Sequence, residues 1–169
     1  MNNRIIILLL LALSLGACKS KKGAENTAEG KGVFKQKKLV GMTIMAIDVK
    51  SFPRYGKDGE KWDSWAPMAG GADLYVRIKQ YDRPIYTSEV REECDPDMAI
   101  SFFQSLPLEV KTYTERMLIE VFDKDGISDD DNVGYFTIYP LDYQNKPKAV
   151  LTNADGSLRM EVSFTWKYE

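Results

Sequence analysis

The sequence predicts an all-β sandwich, and three features carry that prediction. No helical stripe runs longer than about two turns. Apolar, β-prone segments recur between turn residues from Leu39 onward. Near the end, Leu158, Met160, Val162, Phe164 and Trp166 alternate strictly with polar residues. Alternation with a period of two makes one face of a strand apolar and the other wet, and two packed sheets are the economical way to bury such faces.

Taken in order, the chain begins MNNRIIILLLLALSLGAC, with one basic residue, Arg4, then an unbroken apolar run from Ile5 to Leu13 and small residues before a cysteine. The run is too short to span a bilayer and has the layout of a secretory signal. Its end, Leu15-Gly16-Ala17-Cys18, resembles the lipobox of bacterial lipoproteins. That resemblance implies removal of residues 1–17 as a signal peptide and acylation of Cys18, against the alternative of an ordinary cleaved signal. Several acyl chains hold a protein stably at a membrane where one does not. Lys19 follows, and no aspartate stands where enteric lipoproteins mark inner-membrane retention. The expected location is therefore the bacterial cell envelope, lipid-anchored at the outer membrane.

Lys19 to Lys38, KSKKGAENTAEGKGVFKQKK, is too poor in large apolar residues to fold, so residues 18–38 read as a flexible tether and 39–169 as one domain. Seven lysines against Glu25 and Glu29 give the tether a net charge of +5, while 15 basic and 23 acidic residues leave Leu39 to Glu169 at −8. A basic tether suits anionic headgroups, or serves solubility alone. An acidic domain repels the phosphates of nucleic acid, which is therefore not an expected partner.

Leu39 to Val49 (LVGMTIMAIDV) is a long apolar first strand, and Ser51 to Ala72 a loop too rich in Gly and Pro for a regular element. Loops of that length inside a domain are usually functional. Asp73 to Gln80 and Ile85 to Val90 read as a strand pair joined around Asp82-Arg83-Pro84. Asp95-Pro96 marks a turn, and Ile100 to Gln104 and Leu108 to Lys111 are short strand candidates. Met117 to Phe122 and Val133 to Tyr139 flank an acidic loop, and Asp155-Gly156 turns into the closing strand.

The acidic loop organises the functional reading. Arg116 to Tyr135, RMLIEVFDKDGISDDDNVGY, ends an apolar strand at Phe122 and then places Asp123, Asp125, Asp129, Asp130 and Asp131 within nine positions. Five like charges so close are tolerable if fully solvated, or if a hard, oxygen-seeking cation, Ca²⁺ above all, sits among them. The EF-hand loop, with oxygen ligands at positions 1, 3 and 5, Gly at 6 and Glu at 12, does not fit: counted from Asp123 those last three positions hold Ile127, Ser128 and Gly134.

VFDKDGISDDDNVGYFTI, Val121 to Ile138, instead resembles the third calcium loop of C2 domains. There a strand ends in V-[YF]-D-x-D, a third aspartate follows six positions on, and x-x-G leads into the next strand. Here these are Val121, Phe122, Asp123, Asp125, Asp131 and Gly134. Upstream, Ala72 to Ile78 (ADLYVRI) resembles the family's S-D-P-Y-V-K-V, with Leu74 in place of Pro. Thr87 and Val90 match the T-x-x-V ending of the next strand, Asp95-Pro96 sits where the family has N-P, and Met98 stands where an aromatic is common. Gly156 to Trp166 resembles the closing strand. The resemblance covers about Leu39 to Trp166, in order. It implies an eight-stranded antiparallel β-sandwich of C2-like Greek-key topology, with carboxylates of loops 1 and 3 converging on Ca²⁺ at one end. Carried over, Asp73, Asp123, Asp125 and Asp131 are metal ligands. The remaining loop 1 ligand has no direct counterpart, since Pro67 occupies its usual place; Asp63 is the candidate, with Asp58 behind it. Asp129 and Asp130 read as solvated turn residues.

Trp62 and Trp65 flank Asp63. They either meet lipid headgroups at the rim of the site or pack onto their own loop. Cys94 stands among Glu92, Glu93, Asp95 and Asp97, whose charges disfavour a thiolate. The sequence contains no histidine, so no Ser-His-Asp or Cys-His nucleophile and no His-ligated zinc can be built, and an enzyme is not expected. Two readings stand. One is a membrane-anchored, calcium-binding C2-like module that takes a phospholipid, a glycan or a protein as partner. The other is a structural or protein-interaction sandwich that works without calcium.

Overall fold

Two antiparallel sheets pack face to face in the computed structural model, which describes residues 37–62, 71–126 and 129–169. The signal segment, Cys18 and the tether up to residue 36 lie outside the described residues, as do Asp63 and Trp65. The strands are β1 (Leu39–Ser51), β2 (Ala72–Gln80), β3 (Arg83–Thr87), β4 (Arg91–Cys94), β5 (Ile100–Phe102), β6 (Leu108–Val110), β7 (Met117–Asp123), β8 (Asp131–Ile138), β9 (Lys148–Thr152) and β10 (Arg159–Tyr168). One sheet runs β5-β1-β10-β9, with β6 also on β1; the other runs β3-β2-β7-β8, with β4 also on β2.

The described strands number ten where eight were expected. One edge strand of each sheet accounts for the difference, because it is broken in two. β3 and β4 both pair with β2, and β5 and β6 both pair with β1. Between β3 and β4 the Ser88 hydroxyl takes the Val76 amide at 2.8 Å, filling a ladder position with a side chain. Between β5 and β6 lies Leu106-Pro107, and proline has no amide to give a ladder. Rejoining each pair gives eight, the number the resemblance implies, although β5 and β6 were expected as separate strands and β9 was not expected. The turn after β2 comes earlier than expected, at Tyr81-Asp82, both in the left-handed region at φ 50° and 59°.

The core lies between the sheets. In β1 the buried residues are Met42 and Ile44, then Ile47 and Val49, so the inward parity changes partway along. A register shift between Ile44 and Ala46 inserts one residue at Met45 and swings the next part of the strand onto the core face. β10 keeps simple alternation, with Met160, Val162 and Phe164 buried after Leu158.

Contacts along β1 fix the two ends of the sandwich. At one end Lys38 and Glu169 exchange backbone hydrogen bonds, both 2.8 Å, the Tyr113 hydroxyl donates to the Leu39 carbonyl at 2.9 Å, and the Gln80 side-chain amide donates to the Thr112 carbonyl and accepts from the Thr112 hydroxyl. At the other end Ser51 reaches the Ser157 carbonyl, Val49 lies opposite Ile100, and Ala72 opposite Cys94. The acidic loop is at this second end.

Candidate functional site: an aspartate tip

The tip is built on the pairing of β2 with β7. Leu74 lies opposite Asp123, so the residue opening one strand and the residue closing the other are neighbours. The Asp73 amide donates to Asp123 Oδ1 at 2.7 Å, and the Lys124 amide donates to the Asp73 carbonyl at 2.8 Å. These two bonds tie loop 1 to loop 3. Asp123 is only 2% exposed, and a carboxylate so far out of water must be met by donors, of which the Asp73 amide is one.

Asp73 reaches further. Its Oδ1 accepts the Glu93 amide at 2.9 Å, and Glu93 sits at φ 52° within a bulge of β4. A non-glycine residue there is uncommon, and the hydrogen bond helps hold it. Gly71, just before β2, is required by the same approach: a Cβ on it would meet the Cys94 carbonyl oxygen at 2.5 Å.

Across the loop Asp130 is the organising carboxylate. Lys124 Nζ donates to its Oδ1 at 2.8 Å, the Asp125 amide reaches the same oxygen at 3.3 Å, and the Tyr75 hydroxyl donates to Oδ2 at 2.7 Å. The Lys124 hydrogen bond holds the Asp130 carboxyl below its ordinary range, against some burial. Burial first, and Asp130 second, push Tyr75 up to about 12. Tyr75 stacks on Phe122 with ring centres 5.2 Å apart, and Arg77 lies 4.3 Å over the Phe122 ring. Asp130 is therefore a structural latch, not the solvated turn residue expected. Nothing local marks it in the sequence, since Tyr75 is 55 positions away. Asp129 is exposed, as expected.

Of the expected ligands, Asp73 and Asp123 are thus brought into contact. Asp131, exposed at the start of β8, stands opposite Asp123 in the ladder. Asp125 is half-buried, and the carboxylates of Asp125 and Asp131 accept no hydrogen bond among the described residues. Asp58 accepts the Glu60 amide on one oxygen at 2.9 Å, and it shares a recess of about 150 Å³ with Asp131, Trp62 and Asn132. Asp63 is not among the described residues. The donors are carboxylate and carbonyl oxygens, a set that suits a hard cation such as Ca²⁺. Among the described residues no three carboxylates stand together as a ligating group.

Trp62 packs inward. It is buried, and its indole N–H donates to the Pro53 carbonyl at 2.6 Å, so it braces loop 1 and does not face outward. Cys94 is buried too, with its thiol on the Arg91 carbonyl at 3.0 Å, and burial pushes that thiol up, away from thiolate chemistry.

No protein-family model matches the chain, and no curated protein does. Solved structures do. One titled a C2 domain is 13% identical, with 77% of this chain and 99% of that one covered and a TM-score of 0.49. A C2 domain of plant extended synaptotagmin 1 is 15% identical, covering 78% and 98% with a TM-score of 0.45. Human GIVD cytosolic phospholipase A2, in complex with a fluorophosphonate inhibitor and terbium chloride, is 11% identical; 79% of this chain matches 18% of that one at a TM-score of 0.51. The last match is to the C2 part of that enzyme. The chain has the C2 fold.

Proposed function

We propose that the chain is a membrane-anchored, calcium-binding C2-like module whose tip orders on the ion and then grips a partner. The observation that carries this reading is the tie between Asp73 and Asp123, which sets carboxylate-bearing loops from distant parts of the chain side by side. Asp73, Asp123, Asp125 and Asp131 would hold the cation, with Asp58 or Asp63 completing the set. When bound, the ion supplies charge neutralisation and loop order, while the chain's own residues supply the frame. Asp130, Lys124 and Tyr75 keep loop 3 in shape. Cys18 would carry the lipid anchor at the outer membrane. The module does no chemistry of its own, because the sequence has no histidine and the carboxylates are better used as ligands.

A second reading has its own support. Lys124 already partners Asp130, and backbone amides already engage Asp73 and Asp123, so much of the tip is held without an ion. On that reading the chain is a calcium-independent interaction sandwich.

Thermal unfolding of residues 31–169 separates the two. With an affinity in the ~10⁻⁴ M range common to extracellular calcium modules, about 10 mM Ca²⁺ should add about 2.7 kcal/mol over EDTA. Asp125→Asn should remove the gain. Equal midpoints in Ca²⁺ and EDTA would favour the second reading.

A further inference from the structure

Beside the aspartate tip, where the Asp73 carboxylate holds the Glu93 amide, an open groove of about 530 Å³ runs along the flank of the sandwich between β4 and β5. Both are edge strands: among the described residues β4 pairs only with β2 and β5 only with β1, so each leaves one side of its ladder unpaired. The floor is apolar, with Cys94 and Ile100 buried beneath Val90 (42% exposed) and Met98 (64% exposed).

The rim is acidic. Successive side chains of a regular strand point to opposite faces, yet Glu92, Glu93 and Cys94 all line this groove. The bulge of β4, with Glu93 at φ 52°, breaks the alternation that would otherwise separate them. Glu92, Glu93 and Asp95 are exposed and make no ion pair among the described residues. Asp97, at the same turn, is paired with Arg54. Arg91, the cation lining the groove, lies over the Phe103 ring at 5.3 Å.

We propose that this groove takes an extended, basic segment of a partner protein, laid along the free edge of β4 or β5. Its alternate apolar side chains would seat on Met98, Val90 and Ile100, and its lysines or arginines would face Glu92, Glu93 and Asp95. Strand addition gives affinity through main-chain hydrogen bonds and specificity through the side chains on either face. Unpaired carboxylates on the rim favour a cationic segment over an anionic one. The site needs no cation at the aspartate tip and stands whether or not calcium binds.

The test is fluorescence anisotropy with the full chain in EDTA at low and physiological salt, against three labelled ten-residue peptides. One alternates lysine with valine, one glutamate with valine, one lysine with serine. Saturable binding of the lysine-valine peptide is expected, at least tenfold tighter than either of the others. Glu92→Lys and Met98→Ser change exposed side chains and should each weaken it about tenfold without shifting the thermal midpoint. Asp125→Asn, at the tip, should leave it unchanged. Equal binding of the lysine-serine peptide would reduce the effect to unspecific charge, and retention of full affinity in both groove variants would place the peptide elsewhere. Either result, or no binding, overturns the proposal.

Discussion

Asp130 shows how much one side chain contributes to the tip. It draws a lysine, a tyrosine and a backbone amide onto one carboxylate, and all three belong to elements that must hold still if Asp123, Asp125 and Asp131 are to keep their places. The Lys124 pair is partly exposed, so its own contribution is modest, and the Tyr75 hydrogen bond adds to it. Asp130→Ala should destabilise the fold by about 1–2 kcal/mol at neutral pH, read by urea unfolding. The pH dependence follows in sign. The folded-state carboxyl lies below its ordinary value of 3.8, so the stabilisation is fully present above that value and fades as the pH falls through the lowered one. The difference between wild type and Asp130→Ala should therefore shrink below about pH 4. A difference unchanged by acid would mean that the latch does not depend on the charge. The D-x-D spacing and the third aspartate were legible because they are local. The role of Asp130 was not, because only the fold brings Tyr75 to it.

Among the elements, β1, β2, β7 and β10 were readable from their long apolar runs or clean alternation, and the shorter β3, β5, β6 and β8 were expected close to where they lie. β4 was not. Three of its four residues are charged, REEC, and it forms because the edge of β2 offers a ladder and because Asp73 holds the Glu93 amide. β9, five residues between Pro147 and the Asn153 turn, is likewise a strand made by its neighbour β10. The separation of β5 from β6 was expected, but the break between β3 and β4 was not, because it depends on a hydroxyl taking a ladder position. The start of β2 offers a direct check on how closely β4 is set. Gly71→Ala would push a methyl group against the Cys94 carbonyl, a backbone atom that cannot swing aside. Overpacking of this kind costs about 1–3 kcal/mol, and the displaced β4 should also weaken the Asp73 hydrogen bond to Glu93. Thermal melts of Gly71→Ala and of Gly59→Ala, a loop glycine with nothing within 4 Å but a positive φ, distinguish a clash from simple backbone strain. The first should lose more. Equal losses would say that β4 is free to yield.

At the scale of the molecule, the sandwich has two unlike ends. Lys38 and Glu169 close one of them, where the chain enters and leaves, and the aspartate loops occupy the other. The folded domain is acidic as a whole, so the aspartates at its tip are tolerable where water or something positive meets them. Lys124 meets part of that charge, and Ca²⁺ would meet the remainder. Calorimetric titration of Ca²⁺ into residues 31–169 tests this most directly. Saturable binding is expected, with a dissociation constant of about 10⁻⁴ to 10⁻³ M, lost in Asp125→Asn and in Asp131→Asn but kept in Glu92→Lys. A flat titration to about 10 mM, or binding that survives both aspartate substitutions, would contradict it.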